Sequence, residues 1–207
     1  MQFENDHLYH IYNRGNNSQK IFFSRENYLF FLKKVKNYIL PHADILAWCL
    51  MPNHFHLMVY VNDVGIELAT PAFTHGVTRS HPVSKSKQRT LNNSIAIMLR
   101  SYTRAIQKQE NRTGSLFQMQ TKAICLTQVD GVSPAWFQSE YGTIINVAFP
   151  EKEYPQVCFD YIHSNPVNHG LVSNIEDWEF SSARDYAGMR CGRIIDKNRT
   201  KEFGIVC

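Results

Sequence analysis

Two histidines one residue apart are the first residues here whose type and spacing can do chemistry. In the run Met51-Pro-Asn-His-Phe-His-Leu-Met-Val59, His54 and His56 alternate with Phe55, Leu57 and Val59. Successive side chains of a β-strand point to opposite faces. A strand here therefore puts both imidazoles on one face and the apolar residues on the other. Two imidazoles about 7 Å apart along a pleated face can converge on one divalent ion, with at least one further ligand from elsewhere. The competing reading, two surface histidines beside a turn, is not excluded by a bare His-x-His.

A candidate nucleophile comes from the charge distribution. Between Leu68 and Val129 nine lysines and arginines stand against a single acid, Glu110, a local net charge of +8 against +4 for the whole chain. A segregated basic stretch fits a polyanionic partner, although a solvated charged loop has the same composition. Of ten tyrosines in the chain, only Tyr102 lies in this stretch, between Arg100 and Arg104. Two guanidinium groups can hold phosphates beside its hydroxyl. A phenol of pKa about 10 attacks phosphorus only if the developing charge is neutralised, which a bound cation would do. The plain alternative is that Tyr102 belongs to the apolar face of a core helix.

These residues need a scaffold, and the pattern supplies one. Residues 7–13 read as a strand ending at a turn over Arg14-Gly15-Asn16-Asn17. Ser24 is a candidate N-cap for a helix carrying Tyr28, Phe31, Leu32, Val35, Tyr38 and Ile39, stopped by Pro41. Residues 45–50 and 54–61 are two strands around a Met51-Pro52-Asn53 turn. Residues 62–90 lack an apolar period and read as a flexible basic insertion. Residues 91–109 form a helix, 116–126 contain a fourth strand, and 127–152 are a second irregular insertion. A last helix spans about 154–164, ended by Asn165-Pro166. The order β-α-β-β-α-β predicts an α/β (α+β) fold: a ferredoxin-like antiparallel sheet over residues 1–126, with C-terminal helical additions over 153–207.

Several classes are excluded. The five cysteines are scattered and form no C-x-x-C pair, against a disulfide scaffold or zinc ribbon. The first residues carry acids rather than an apolar run, against a signal peptide, and no stretch of about 18 apolar residues could span a membrane. The expectation is a cytoplasmic protein.

The run Cys49-Leu-Met-Pro-Asn-His-Phe-His-Leu-Met58 resembles the HUH motif of the single-tyrosine transposases of bacterial insertion sequences. More narrowly it resembles the REP-associated tyrosine transposases. Gly114-Ser-Leu-Phe-Gln118 fits that narrower group, as does the tail Tyr161-Ile-His-Ser-Asn-Pro-Val-Asn-His-Gly-Leu-Val172 with Trp178, Ser181-Ser182 and Asp185-Tyr186. The resemblance implies metal-dependent cleavage and rejoining of single-stranded or hairpin DNA through a covalent 5′-phosphotyrosine. His54 and His56 would hold Mg²⁺ or Mn²⁺. Tyr102, in Ser101-Tyr-Thr-Arg104, matches the position of the family's nucleophile on a helix after the HUH strand. The simple insertion-sequence enzymes place an amide one turn after the tyrosine; here that position is Ile106. Gln107 is the expected third ligand, with Gln109 as the alternative. Arg14, Arg100, Arg104, Lys108, Arg112 and Lys122 are the expected DNA contacts. His163 and His169 read as residues that pack or cap a helix end, and Asn165-Pro166 as a turn. The working unit would be a monomer or homodimer. A rival from another class is a domesticated protein that grips DNA hairpins without cutting them.

Overall fold

The structure, a computed structural model, describes residues 1–67, 88–127, 136–139, 142–145 and 154–207. Four strands form one antiparallel sheet: β1 (Leu8–Arg14), β2 (Ala43–Met51), β3 (His54–Val61) and β6 (Lys122–Cys125), in the order β2-β3-β1-β6. The antiparallel pair β4 (Gly65–Glu67) and β5 (Gln88–Thr90) frames the first insertion. A second pair, β7 (Trp136–Ser139) and β8 (Gly142–Ile145), lies within the other. The flexibility expected of residues 68–87 lies outside the described residues. With helices α1 (Arg25–Tyr38) and α2 (Leu91–Gln109) as crossovers, the sheet order is that of a ferredoxin-like fold, as the sequence predicts.

The helices begin where their caps allow. Asn27 Oδ1 accepts the backbone N–H groups of Phe23 (3.0 Å) and Ser24 (3.1 Å), closing the N-terminus of α1. The Thr90 hydroxyl accepts the N–H of Asn93 at 3.2 Å and starts α2.

The sheet is covered on both faces. Tyr9 and Ile11 of β1 with Phe55, Leu57, Val59 and Val61 of β3 form one apolar face, packed by α1 and α2 through Phe31, Val35, Ile95, Met98 and Tyr102. The opposite face carries Leu8, Leu46, Ala47, Cys49 and Met58. It is covered by α3 (Tyr154–Asn168) through Cys158, Phe159 and Ile162. Strand alternation assigns His54 and His56 to this second face, and the register aligns His56 with Tyr12 and His54 with Arg14.

Helix α3 corrects one expectation. It does not stop before Asn165-Pro166 but continues to Asn168. Pro166 sits in the last turn, where its missing N–H removes a single bond. The end is closed beyond it by Gly170 N–H to Val167 O (2.9 Å) and Leu171 N–H to Pro166 O (2.9 Å). Gly170 takes φ +65° at the reversal, a conformation that favours glycine.

After α3 the chain runs along the outer edge of β2. Leu50 N–H donates to Phe180 O (2.8 Å), Ser182 N–H to Trp48 O (2.9 Å) and Asp196 N–H to Ile45 O (2.8 Å). This protects an edge that would otherwise offer unpaired backbone groups. Short helices α4 (Ala183–Tyr186) and α5 (Lys197–Glu202) pin the segment, with the Tyr186 hydroxyl donating to Leu46 O at 2.6 Å. Among the described residues no helix is long and apolar enough to cross a membrane. All five cysteines are free.

Candidate active site

His54 and His56 share one face, as their spacing requires, and their rings meet edge to face with centroids 4.9 Å apart. Each imidazole is oriented through Nδ1. His54 Nδ1 donates to Asn53 Oδ1 at 2.6 Å, which in the neutral ring leaves Nε2 the lone pair. His56 Nδ1 lies 2.9 Å from Nε2 of His10, which follows the same alternation on β1. His56 Nε2 is buried and has no hydrogen-bond partner among the described residues. Burial, reinforced by the neighbouring imidazoles of His54, His10 and His169, holds His56 well below the usual histidine range. His10 is pushed down to about 3 by burial. Both rings are therefore neutral, the form that ligates metals.

The group that approaches this pair from across the site is on α3, not α2. Asn165 is 2% exposed. Its Nδ2 donates to Tyr161 O at 2.9 Å, which turns Oδ1 toward His54 Nε2, 3.4 Å away. The two atoms are within hydrogen-bonding distance, and with His54 Nε2 unprotonated both would offer lone pairs to one cation. Adjacent ligands each about 2.1 Å from an ion lie about 3 Å apart. The His54, His56 and Asn165 side chains accordingly fit a divalent cation held by two imidazoles and an amide oxygen. Among the described residues no group of three or more His, Cys, Asp or Glu is placed to hold a metal, so the amide is needed.

Tyr161 stands one helical turn before Asn165, and its ring lies 5.4 Å from that of His56 and 6.1 Å from that of His10. Burial raises its pKa; the Asn165 side chain and the Arg14 charge act in the opposite direction. Arg14, an expected DNA contact, thus lies in this site. Lys122, another, sits over the Tyr12 ring at 5.9 Å, and Tyr12 stacks on His10 at 4.8 Å.

The structure does not bring Tyr102 to the histidines. Its ring is fully buried on the Phe55 side of the sheet, among Phe22, Phe30, Phe31 and Phe117, and its hydroxyl donates to Ile21 O at 2.8 Å. Burial raises its pKa far above that of a free phenol. Strand alternation is the reason. Phe55 and His56 point to opposite faces, and the α2 residues facing the core meet the Phe55 face. Gln107 on the same helix donates to Gly114 O at 2.6 Å, and Gln109 is bonded to Glu110 (2.9 Å). Neither is a ligand of the histidine pair.

The remaining expected contacts divide. Arg100, Arg104 and Lys122 line an open groove of about 1000 Å³ between α2 and the segment leading into edge strand β6. The groove has no acidic residue in its lining and includes Tyr12, which joins it to the histidine site. Lys108 is exposed on α2, whereas Arg112 bonds to the Gln19 side chain and lies over the Phe23 ring.

Tyr161 and Asn165 enter the sequence pattern only as part of the tail and as a turn, and His10 only as part of a strand. The signal for the first two was present: an amide one turn after a tyrosine, the spacing of the insertion-sequence enzymes, occurs in Tyr161-Ile-His-Ser-Asn165. His163, read as a packing residue, is one. It is buried and bonded to the Ser182 hydroxyl at 2.7 Å.

No family model matches the sequence, and no curated protein matches it. A solved structure of a REP-associated tyrosine transposase bound to a REP hairpin does match: at 16% sequence identity and TM-score 0.53, the match covers 95% of this chain and 92% of that one. Over nearly its whole length, this chain has the fold of a REP-associated tyrosine transposase.

Proposed function

We propose that the protein cleaves and rejoins single-stranded DNA at a hairpin, with Tyr161 as the nucleophile. The observation that carries this reading is the convergence of His54, His56, Asn165 and Tyr161 on one side of the sheet, with Asn165 Oδ1 3.4 Å from His54 Nε2. His54, His56 and Asn165 would hold Mg²⁺ or Mn²⁺; the imidazole pair favours Mn²⁺. Once bound, the ion would supply Lewis-acid stabilisation of charge on a phosphate oxygen.

The chain's own residues account for the rest. The Tyr161 hydroxyl attacks phosphorus and the bond to the 3′-oxygen breaks. This leaves a 5′-phosphotyrosine and a free 3′-hydroxyl, with water accepting the phenolic proton and returning one to the departing oxygen. Attack by another 3′-hydroxyl reverses the step, so rejoining needs no nucleotide. Arg14 lowers the cost of the phenolate and would neutralise the scissile phosphate. Arg100, Arg104 and Lys122 hold the backbone of an unpaired strand in the acid-free groove, and Tyr12 offers a ring on which a base can stack as the strand enters the site. The structural relative was solved bound to a REP hairpin, which supports a hairpin as the first substrate to try.

The test is incubation with hairpin-bearing single-stranded DNA and Mn²⁺. A denaturing gel should show a protein–DNA adduct, and peptide mapping should place the modification on Tyr161. Hairpin binding with no adduct under any divalent ion would leave a non-cutting hairpin-binding protein.

A further inference from the structure

The groups around the histidine site divide into those that face its interior and one that lies behind it. His10 cannot reach the position shared by His54, His56 and Asn165, because its Nε2 is occupied by His56 Nδ1 at 2.9 Å. Yet it is 2% exposed, sits on β1 two residues before the Arg14-side aromatic Tyr12, and stacks on both Tyr12 (4.8 Å) and His56 (5.1 Å). We propose that His10 is a positioning residue: as a neutral hydrogen-bond acceptor it fixes the His56 tautomer that exposes the Nε2 lone pair to a divalent ion. The proposal rests on the reading of His54, His56 and Asn165 as a metal site and adds a residue which that reading leaves without a role.

One hydrogen must lie between His10 Nε2 and His56 Nδ1, and its owner decides what His56 can do. If His10 donates, His56 carries its own proton on Nε2. That nitrogen then carries a buried N–H and cannot ligate. If His56 donates, His10 Nε2 is the acceptor, the buried N–H moves to His10 Nδ1, and His56 Nε2 offers a lone pair. Metal-ligating histidines usually orient themselves by donating the second N–H to a carboxylate, a carbonyl or water. Here a second imidazole takes that place, and burial on both faces of its ring holds it rigid. The pairing also explains why a polar ring occupies a position otherwise suited to an apolar side chain beside Leu8 and Met58.

The two readings fail separately in one set of measurements on the full chain. In metal-free protein, ¹⁵N imidazole shifts should show His56 protonated on Nδ1. A proton on Nε2 would overturn the proposal whatever the metal data say. His10→Phe keeps a ring in the stack and removes the acceptor; His10→Gln restores an acceptor without the ring. Titration of Mn²⁺ in the absence of DNA, followed by electron paramagnetic resonance, should show His10→Phe binding about 10–100-fold more weakly than wild type, with His10→Gln recovering most of the loss. Equal affinity of His10→Phe and wild type would overturn the role of the acceptor. Equal loss in both variants, with melting unchanged, would mean that the ring itself is needed and would also overturn it. His56→Ala is the control for the site. If wild type and His56→Ala bind Mn²⁺ alike, the metal-site reading falls while the tautomer measurement still judges His10.

Discussion

Exchanging single hydroxyl groups on the two faces of the sheet separates catalysis from stability. Tyr161→Phe removes the hydroxyl from the histidine face, where the ring is only partly buried; Tyr102→Phe removes one from the core. Without the Tyr102 hydroxyl, the Ile21 carbonyl loses its 2.8 Å donor inside an apolar cluster. A buried acceptor left unsatisfied costs about 1–3 kcal/mol. For a chain of this size each kcal/mol lowers the melting temperature by about 2–4 °C, so Tyr102→Phe should melt about 2–12 °C lower. It should still form the covalent DNA adduct. Tyr161→Phe should melt within about 2 °C of wild type, as expected for a partly exposed site, and form no adduct. The assay pairs a denaturing gel, using hairpin DNA and Mn²⁺ below both melting temperatures, with a thermal melt of each protein. An adduct that survives Tyr161→Phe and disappears in a folded Tyr102→Phe would refute the assignment of faces on which the proposed function stands.

Three further outcomes are expected. Burial lowers His163 from 6.5 to about 4, so the folded protein keeps it neutral while the unfolded chain protonates it. The stability it contributes is complete above pH 6.5 and declines as pH falls toward 4, by about 3 kcal/mol in all. Denaturant unfolding at several pH values should show a flatter profile for His163→Gln, and an unchanged profile would contradict the buried neutral state. Neutralising Arg100 and Arg104 together to Gln should weaken binding of a single strand and make its dependence on log salt shallower by about 1.4, since each phosphate contact contributes about 0.7. An unaltered slope would remove the groove from the DNA path. Arg190→Met should leave the Asp185 carboxylate, which is 2% exposed and bonded to Arg190 at 2.6 Å, with the Gly192 N–H but without that counter-charge, and cost about 3–5 kcal/mol in chemical unfolding. A loss below about 1 kcal/mol would mean that the ion pair does not hold the tail against β2.

What the linear pattern determines here is whatever depends on near neighbours. Alternation over residues 54–61 places His54 and His56 together without reference to any other strand. Ser24 with Asn27, and Thr90 with Asn93, set the helix starts, and the order of elements leads to the ferredoxin-like sheet. The choice of tyrosine is not a local property. Arg100 and Arg104 flank Tyr102 in sequence, but the helix that carries all three turns its apolar stripe to the Phe55 face. The arginines go to an open groove and the tyrosine goes to the core. Pro166 by itself reads as a stop, whereas α3 passes through it and keeps Tyr161 and Asn165 one turn apart on the histidine side. His10 carries no local signal at all: its partner His56 is 46 residues away, and only the β1–β3 pairing brings the two rings within hydrogen-bonding distance. Which face of a sheet a distant helix covers is a tertiary decision, because it depends on the total apolar area each face offers rather than on the sequence of either element.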